Sequence, residues 1–216
     1  MRYDNSMKRI LCYGDSNTWG YVPSSDADRY PVSIRYPRVL NKLLGDEYEV
    51  IEEGLPGRTM ICDDLKEGVG NRNGSLEFGQ LVYSSIPVDY ILIMLGSNDI
   101  KYLHQACAVK CAEALEKDYI KKIKDKLAGK IKNDPKIIIV VPPVIGNEDN
   151  RYLESDVLET KLMSIEYHII AERHNCLFVD NDGLETGSDG VHLTEKSHLL
   201  LAEKIYKVIK DYEANL

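Results

Sequence analysis

The chain contains no apolar run approaching the roughly 20 residues that a membrane-crossing helix needs. Met1 to Lys8 is polar and lacks the apolar core of a secretory signal. The expectation is a cytoplasmic protein with no membrane partner, in which residues 1–6 form a disordered lead. Cations are in the minority, with 27 Lys and Arg against 35 Asp and Glu, for a formal charge of −8. A dedicated nucleic-acid binder needs clustered cations to neutralise phosphate, so the balance speaks against that partner. The longest basic cluster, Lys121 to Lys132, alternates with apolar residues and reads as the solvated face of a helix. Cysteines number only five, an odd and scattered set (Cys12, Cys62, Cys107, Cys111, Cys176), which fits a reducing compartment. Cys12 and Cys176 lie in apolar runs and read as small core residues. Cys107 and Cys111 share a helix face, but no further Cys or His pair has matching spacing, so neither metal nor cofactor is expected. No Gly-x-Gly-x-x-Gly or Walker pattern follows any strand. There is no internal repeat, low-complexity tract or linker, and residues 1–216 read as one domain with one substantial core.

What is present is an alternation of short apolar runs with helical patterns. Arg9–Tyr13, Tyr48–Glu52, Tyr90–Leu95, Lys136–Val141 and Leu177–Val179 read as strands. Residues 91–95 and 137–141 are apolar at every position. A strand apolar on both faces must be covered on both faces, as in a parallel sheet between helical layers. Between the strands, three stripes recur at steps of three and four: Ala112, Leu115, Tyr119, Ile123 and Leu127, with a stop at Gly129; Leu158, Leu162, Ile165 and Ile169; and Leu201, Ile205, Val208 and Tyr212. The expected fold is α/β, a three-layer αβα sandwich around a five-stranded parallel sheet in flavodoxin-like order. Asp63 to Gly79, with glycines at 68, 70, 74 and 79, and Pro142 to Asp156 resist the pattern. Loops that follow strands lie at the sheet's carboxyl edge, so both stretches are candidate pocket walls as well as ordinary connections.

Four polar pieces stand at strand ends or helix starts: Gly14-Asp15-Ser16-Asn17, Glu52 to Thr59, Gly96-Ser97-Asn98-Asp99, and Asp189 to Thr194. A serine hydroxyl is a poor nucleophile near neutral pH and needs a base within hydrogen-bond reach. His192 is the candidate base. Asp189, three residues earlier, can orient the ring through Nδ1 and leave Nε2 to face Ser16. Acyl transfer also needs donors aimed at a developing oxyanion. The backbone N–H groups of Ser16 and Gly57 and the side-chain amide of Asn98 are the candidates, and one such donor contributes roughly 3–4 kcal/mol in hydrolases. Each piece alone is ordinary turn or cap chemistry. Local strand and helix requirements do not demand all four in this order.

With those four pieces the chain resembles the SGNH hydrolase superfamily, also called the GDSL lipase/esterase family. The name residues would be Ser16, Gly57, Asn98 and His192, with Asp189 as the triad aspartate. The resemblance spans residues 8–212. It is strongest to the small arylesterase/acyltransferase branch, through Arg9 to Pro23, Val50 to Leu55 and Ile93 to Asp99. The departures are Asn17, where the family often has leucine, Glu53 for asparagine, and Ser97 for threonine. The resemblance implies hydrolysis of short-chain acetyl and aryl esters through an acyl-enzyme, with acyl transfer in some members. It also implies a homo-oligomer.

A small-molecule ester is therefore the expected partner. Trp19, three residues past Ser16, is the candidate pocket aromatic, and Val191 is a candidate contact to the leaving group. Tyr21, Met60, Ile61, Val144 and Ile145 also fall in loops expected near the site. Arg58 reads either as an anion binder or as an ion-pair partner of Glu52 or Asp99. Two further readings stand beside the esterase: a carbohydrate O-acetylesterase on the same scaffold, and a non-catalytic flavodoxin-like binding module. The second leaves Asp189 and His192 without a role.

Overall fold

The computed structural model describes residues 7–101, 104, 106–125, 129–131, 134–146 and 152–216. The expected lead at 1–6, Leu127 of the first stripe, Lys132 of the basic cluster and residues 147–151 of the second loop lie outside them.

Strand β1 (Lys8–Gly14) runs into a one-turn helix α1 (Ser16–Trp19). Helix α2 (Tyr36–Leu44) returns the chain to β2 (Tyr48–Gly54). A small hairpin, β3 (Leu65–Lys66) and β4 (Gly70–Asn71), precedes α3 (Gly74–Ser85). Then come β5 (Tyr90–Met94), a one-turn α4 (Ser97–Ile100) and α5 (Ala108–Ala114). A π-helical segment (Leu115–Ile120) joins α5 to α6 (Lys121–Lys124). The last elements are β6 (Lys136–Val140), α7 (Glu154–His174), β7 (Leu177–Val179) and α8 (Glu195–Glu213). The five long-range strands form one parallel sheet in the order β2-β1-β5-β6-β7.

Residue parity decides which layer each strand residue faces. Leu11, Tyr13, Ile91, Ile93, Ile137 and Ile139 pack with Phe78 of α3, Cys111 of α5 and Met163, Tyr167 and Ile170 of α7. Ile10, Cys12, Leu92, Met94, Ile138 and Val140 pack with Tyr36 and Leu40 of α2 and Leu201 and Ile205 of α8. The central strands thus bury both faces, as continuous apolar runs require. The chain winds from β1 out to β2, then crosses back to β5 beside β1. Strand order reverses there, and the crevice at the carboxyl ends of β1 and β5 is where such sheets bind ligands.

Two expectations change. Asp63 to Gly79 is not an unstructured loop: it holds the hairpin and the first half of α3. Asn73 caps that helix, its Oδ1 accepting from the Ser75 N–H at 3.1 Å, so Gly74 and Gly79 mark its first turns rather than a break. The stripe on α7 also faces outward, with Leu158 56% and Ile165 59% exposed. The inward face is Thr160, Met163, Tyr167, Ile170 and Ala171. Periodicity cannot choose between two apolar faces on one helix. Polar atoms identify the inner one: Tyr167 donates to the Leu95 carbonyl at 2.9 Å, and Thr160 accepts from the Ile145 N–H at 3.1 Å.

At the amino edge of the sheet, Glu213 of α8 joins three strand starts. It accepts from Lys8 at 2.6 Å, from Tyr48 at 2.6 Å and from Tyr90 at 2.8 Å, and Lys210 adds a fourth donor at 3.2 Å.

Candidate active site

Ser16 opens α1 directly after the carboxyl end of β1. Asp15 caps this turn by accepting from the Asn17 N–H at 2.9 Å. The turn sits hard against the end of β2, where a Cβ on Gly54 would lie 2.2 Å from the Trp19 nitrogen. Ser16 is therefore held on a short, buried turn at the switch point.

His192 approaches from the loop before α8. Its Nε2 lies 2.9 Å from Ser16 Oγ, and its Nδ1 lies 2.7 Å from Asp189 Oδ2. The same carboxylate accepts from the N–H groups of Val191, His192 and Ser24, each at 3.0 Å. Burial pushes the Asp189 carboxyl up. The hydrogen bond from the ring, the backbone donors and the ring's charge outweigh burial and hold it well below the usual carboxylate range. Asp189 is thus held as an anion beside Nδ1 of His192. Tyr21 stacks on a face of the imidazole, centroids 4.3 Å apart.

Gly57 has φ +81°, and a Cβ there would lie 2.0 Å from the Arg72 guanidinium. The left-handed backbone at this position favours glycine, and a side chain there would also have to displace the Arg72 guanidinium. The Asn98 amide nitrogen donates to the Arg58 carbonyl at 2.9 Å and lies 3.4 Å from Asp15 Oδ2. Asp99 of the third polar piece holds the segment that follows the second: its carboxylate accepts from the N–H groups of Met60, Ile61 and Cys62 at 2.6, 2.9 and 3.2 Å. Ser16, Gly57, Asn98 and His192 line one cavity of about 300 Å³, together with Tyr21, Pro56, Asp64, Arg72, Lys101 and His104. A serine, an imidazole and a carboxylate in one hydrogen-bonded series, with candidate oxyanion donors, meet at one point.

The model of the GDSL-like lipase/acylhydrolase family matches residues 12–200. The chain belongs to that family. A carbohydrate acetylesterase family member from Sinorhizobium meliloti superposes with a TM-score of 0.86 at 30% identity, covering 94% of this chain and 98% of that one. A native aryl esterase of M. smegmatis superposes at 0.81 with 29% identity, covering 94% and 99%. An acetylxylan esterase of Xylanibacter ruminicola is 25% identical over 94% of this chain, which spans only 43% of that relative's length.

Within this GDSL-like frame some expected residues sit elsewhere. Trp19 does not line the cavity. Its carbonyl accepts from Arg29 Nε at 2.7 Å, and the Arg29 guanidinium lies 5.1 Å from its ring centroid. Gly20, at φ +89°, then turns the chain so that Tyr21 reaches the imidazole. Val191 is buried and does not line the cavity either; its carbonyl accepts from Asn17 at 3.2 Å. Arg58 pairs with neither Glu52 nor Asp99. Its Nη1 donates to the Gly14 carbonyl at 2.8 Å and to that of Glu53, and its guanidinium lies 4.2 Å from the Tyr13 ring centroid. Glu52 instead receives Arg35, at 3.0 and 3.1 Å. Met60 and Ile145 are buried in the core rather than in the cavity. Asp64 and Arg72 come from Asp63 to Gly79, one of the two candidate pocket walls, although neither was singled out; Lys101 and His104 were not anticipated. Lys101 had one legible signal, its place three residues after Asn98. Asp64 and Arg72 meet only because the hairpin folds, at 2.6 Å. Among the described residues, no three His, Cys, Asp or Glu side chains gather as metal ligands.

Proposed function

We propose that the protein is a serine carboxylic ester hydrolase working through an acyl-enzyme on Ser16. The observation that carries this reading is the run Ser16 Oγ, His192 Nε2, His192 Nδ1, Asp189 Oδ2, with contacts of 2.9 and 2.7 Å at its two ends. His192 takes the Ser16 proton as Oγ attacks the ester carbonyl. Asp189 holds the tautomer and stabilises the imidazolium. The N–H groups of Ser16 and Gly57 and the amide of Asn98 receive the oxyanion. The alcohol leaves with the proton from His192. Water, deprotonated by the same ring, then releases the acid and restores Ser16.

The substrate class we favour is a short acyl ester, acetyl first, of a polar hydroxylated alcohol such as a carbohydrate. The small cavity carries Asp64, Arg72, Lys101 and His104 on its walls, a lining that matches hydroxyl groups better than an apolar chain. The carbohydrate acetylesterase and acetylxylan esterase relatives support the same class. Aryl acetates are a second substrate class, favoured by the Tyr21 ring beside His192. Such a polar wall favours hydrolysis over transfer to an alcohol, which needs water kept out.

A fluorophosphonate probe tests the mechanism: the adduct is expected on Ser16, and Ser16→Ala should lose turnover of both acetylated xylose and an aryl acetate. Labelling elsewhere, or full turnover by Ser16→Ala, would overturn the reading. The ratio of the two turnovers decides the substrate class.

A further inference from the structure

Lys101 follows α4 directly, its side chain half-buried on the wall of the cavity. Its Nζ donates to Asn98 Oδ1 at 2.8 Å. Among the described residues, no carboxylate lies within ion-pair distance of it. This hydrogen bond goes to a neutral amide oxygen, an unusual use of a partly desolvated cation if its role were only structural.

An ammonium carries three donors and no acceptor, so it can face only the oxygen end of the Asn98 amide. That leaves Nδ2 on the opposite side. One Nδ2 proton is satisfied by the Arg58 carbonyl at 2.9 Å, and the other makes only a long 3.4 Å bond to Asp15 Oδ2, on the side of the nucleophile turn, which an oxyanion can replace. A positive charge on the amide oxygen also polarises the group and strengthens its N–H donors. We propose that Lys101 is a positioning residue of the oxyanion site, holding the Asn98 amide with its N–H toward the reacting carbonyl and strengthening that donor. The inference rests on Asn98 as an oxyanion donor in the proposed function.

The charge on Lys101 is tuned by its surroundings. Burial lowers its pKa below the ordinary 10.5; Asp15, Asp189 and Asp64 oppose that fall and Arg72 adds to it. His104 and His192 share the same cavity. Acylation should therefore lose rate on the alkaline side as Lys101 deprotonates, at a pH below the ordinary lysine range.

A double-mutant cycle on aryl acetate hydrolysis tests the idea, with thermal melts to confirm folding. Asn98→Ala is expected to lower kcat on the order of 100-fold, as loss of one oxyanion donor does. Lys101→Met should lower kcat about tenfold or more with KM within about twofold, as expected when a contact acts only in the transition state. The double variant should be no slower than Asn98→Ala, because Lys101 acts through Asn98. Lys101→Arg should recover part of the rate and move the alkaline limb to higher pH. Full kcat in Lys101→Met beside a damaged Asn98→Ala overturns the Lys101 inference alone, as do losses that multiply in the double variant. An undamaged Asn98→Ala overturns the oxyanion role of Asn98 and the inference with it. Should Lys101→Met fail to fold, the limb decides: an acylation rate flat through that alkaline range, or a limb unmoved by Lys101→Arg, overturns the inference.

Discussion

The side chain of Asn17 holds the backbone of Leu193 across 176 positions of sequence, its Oδ1 accepting the Leu193 N–H at 2.8 Å. The other end of the same amide donates to the Val191 carbonyl at 3.2 Å. These two peptide groups flank His192. One buried amide on the nucleophile's turn therefore registers the loop that carries the candidate base.

Leucine at this position would keep the volume and remove both bonds. Two buried backbone groups would lose their partners, at about 1–3 kcal/mol each. The prediction is that Asn17→Leu melts at lower temperature and reacts more slowly with a fluorophosphonate, while KM for an aryl acetate changes little. Labelling at the parent rate would show that the loop holds its place without the amide.

A second prediction concerns acid stability. Burial would raise the Glu213 carboxyl, but hydrogen bonds from Lys8, Tyr48, Tyr90 and Lys210 outweigh it and bring the pKa down from 4.5 to about 2. A group whose folded pKa is depressed contributes fully above its unfolded value and loses that contribution as the pH falls through the folded one. Glu213→Gln should therefore melt below the parent at neutral pH. The gap should narrow from pH 4.5 downward and close near pH 2. Melting curves across that window check it, and a gap independent of pH would mean that packing, not charge, is what Glu213 supplies.

The third prediction separates the two faces of α7. Met163 is fully buried, and truncation to alanine should cost about 2–5 kcal/mol. Ile165 is 59% exposed, and its change to glutamate should alter stability by roughly 0.5 kcal/mol or less. Denaturant midpoints for the two variants measure this directly. A large loss for Ile165→Glu would mean that the outer stripe is covered in solution.

The strands were legible because a parallel sheet buries both faces, which leaves short runs such as Ile137 to Val141 apolar at every position. Ser16, Asp189 and His192 were legible because their side-chain chemistry is rare in that order. The face of α7 was not, because Leu158, Leu162, Ile165 and Ile169 repeat as regularly as the residues that are buried. Trp19 was placed near the cavity by its distance along the chain. The left-handed bend at Gly20 gives that place to Tyr21. Asp64 and Arg72 depend on a hairpin whose strands are two residues each, too short to leave a periodic signal.

The Glu213 cluster has a practical consequence. It gathers Lys8, Tyr48 and Tyr90 at the edge of the sheet opposite Ser16, one β1 length away, or roughly 20 Å at the usual rise per residue. A surface or fusion anchored beside Glu213 would leave the crevice pointing away from the support, open to bulky polymeric esters as well as to small ones.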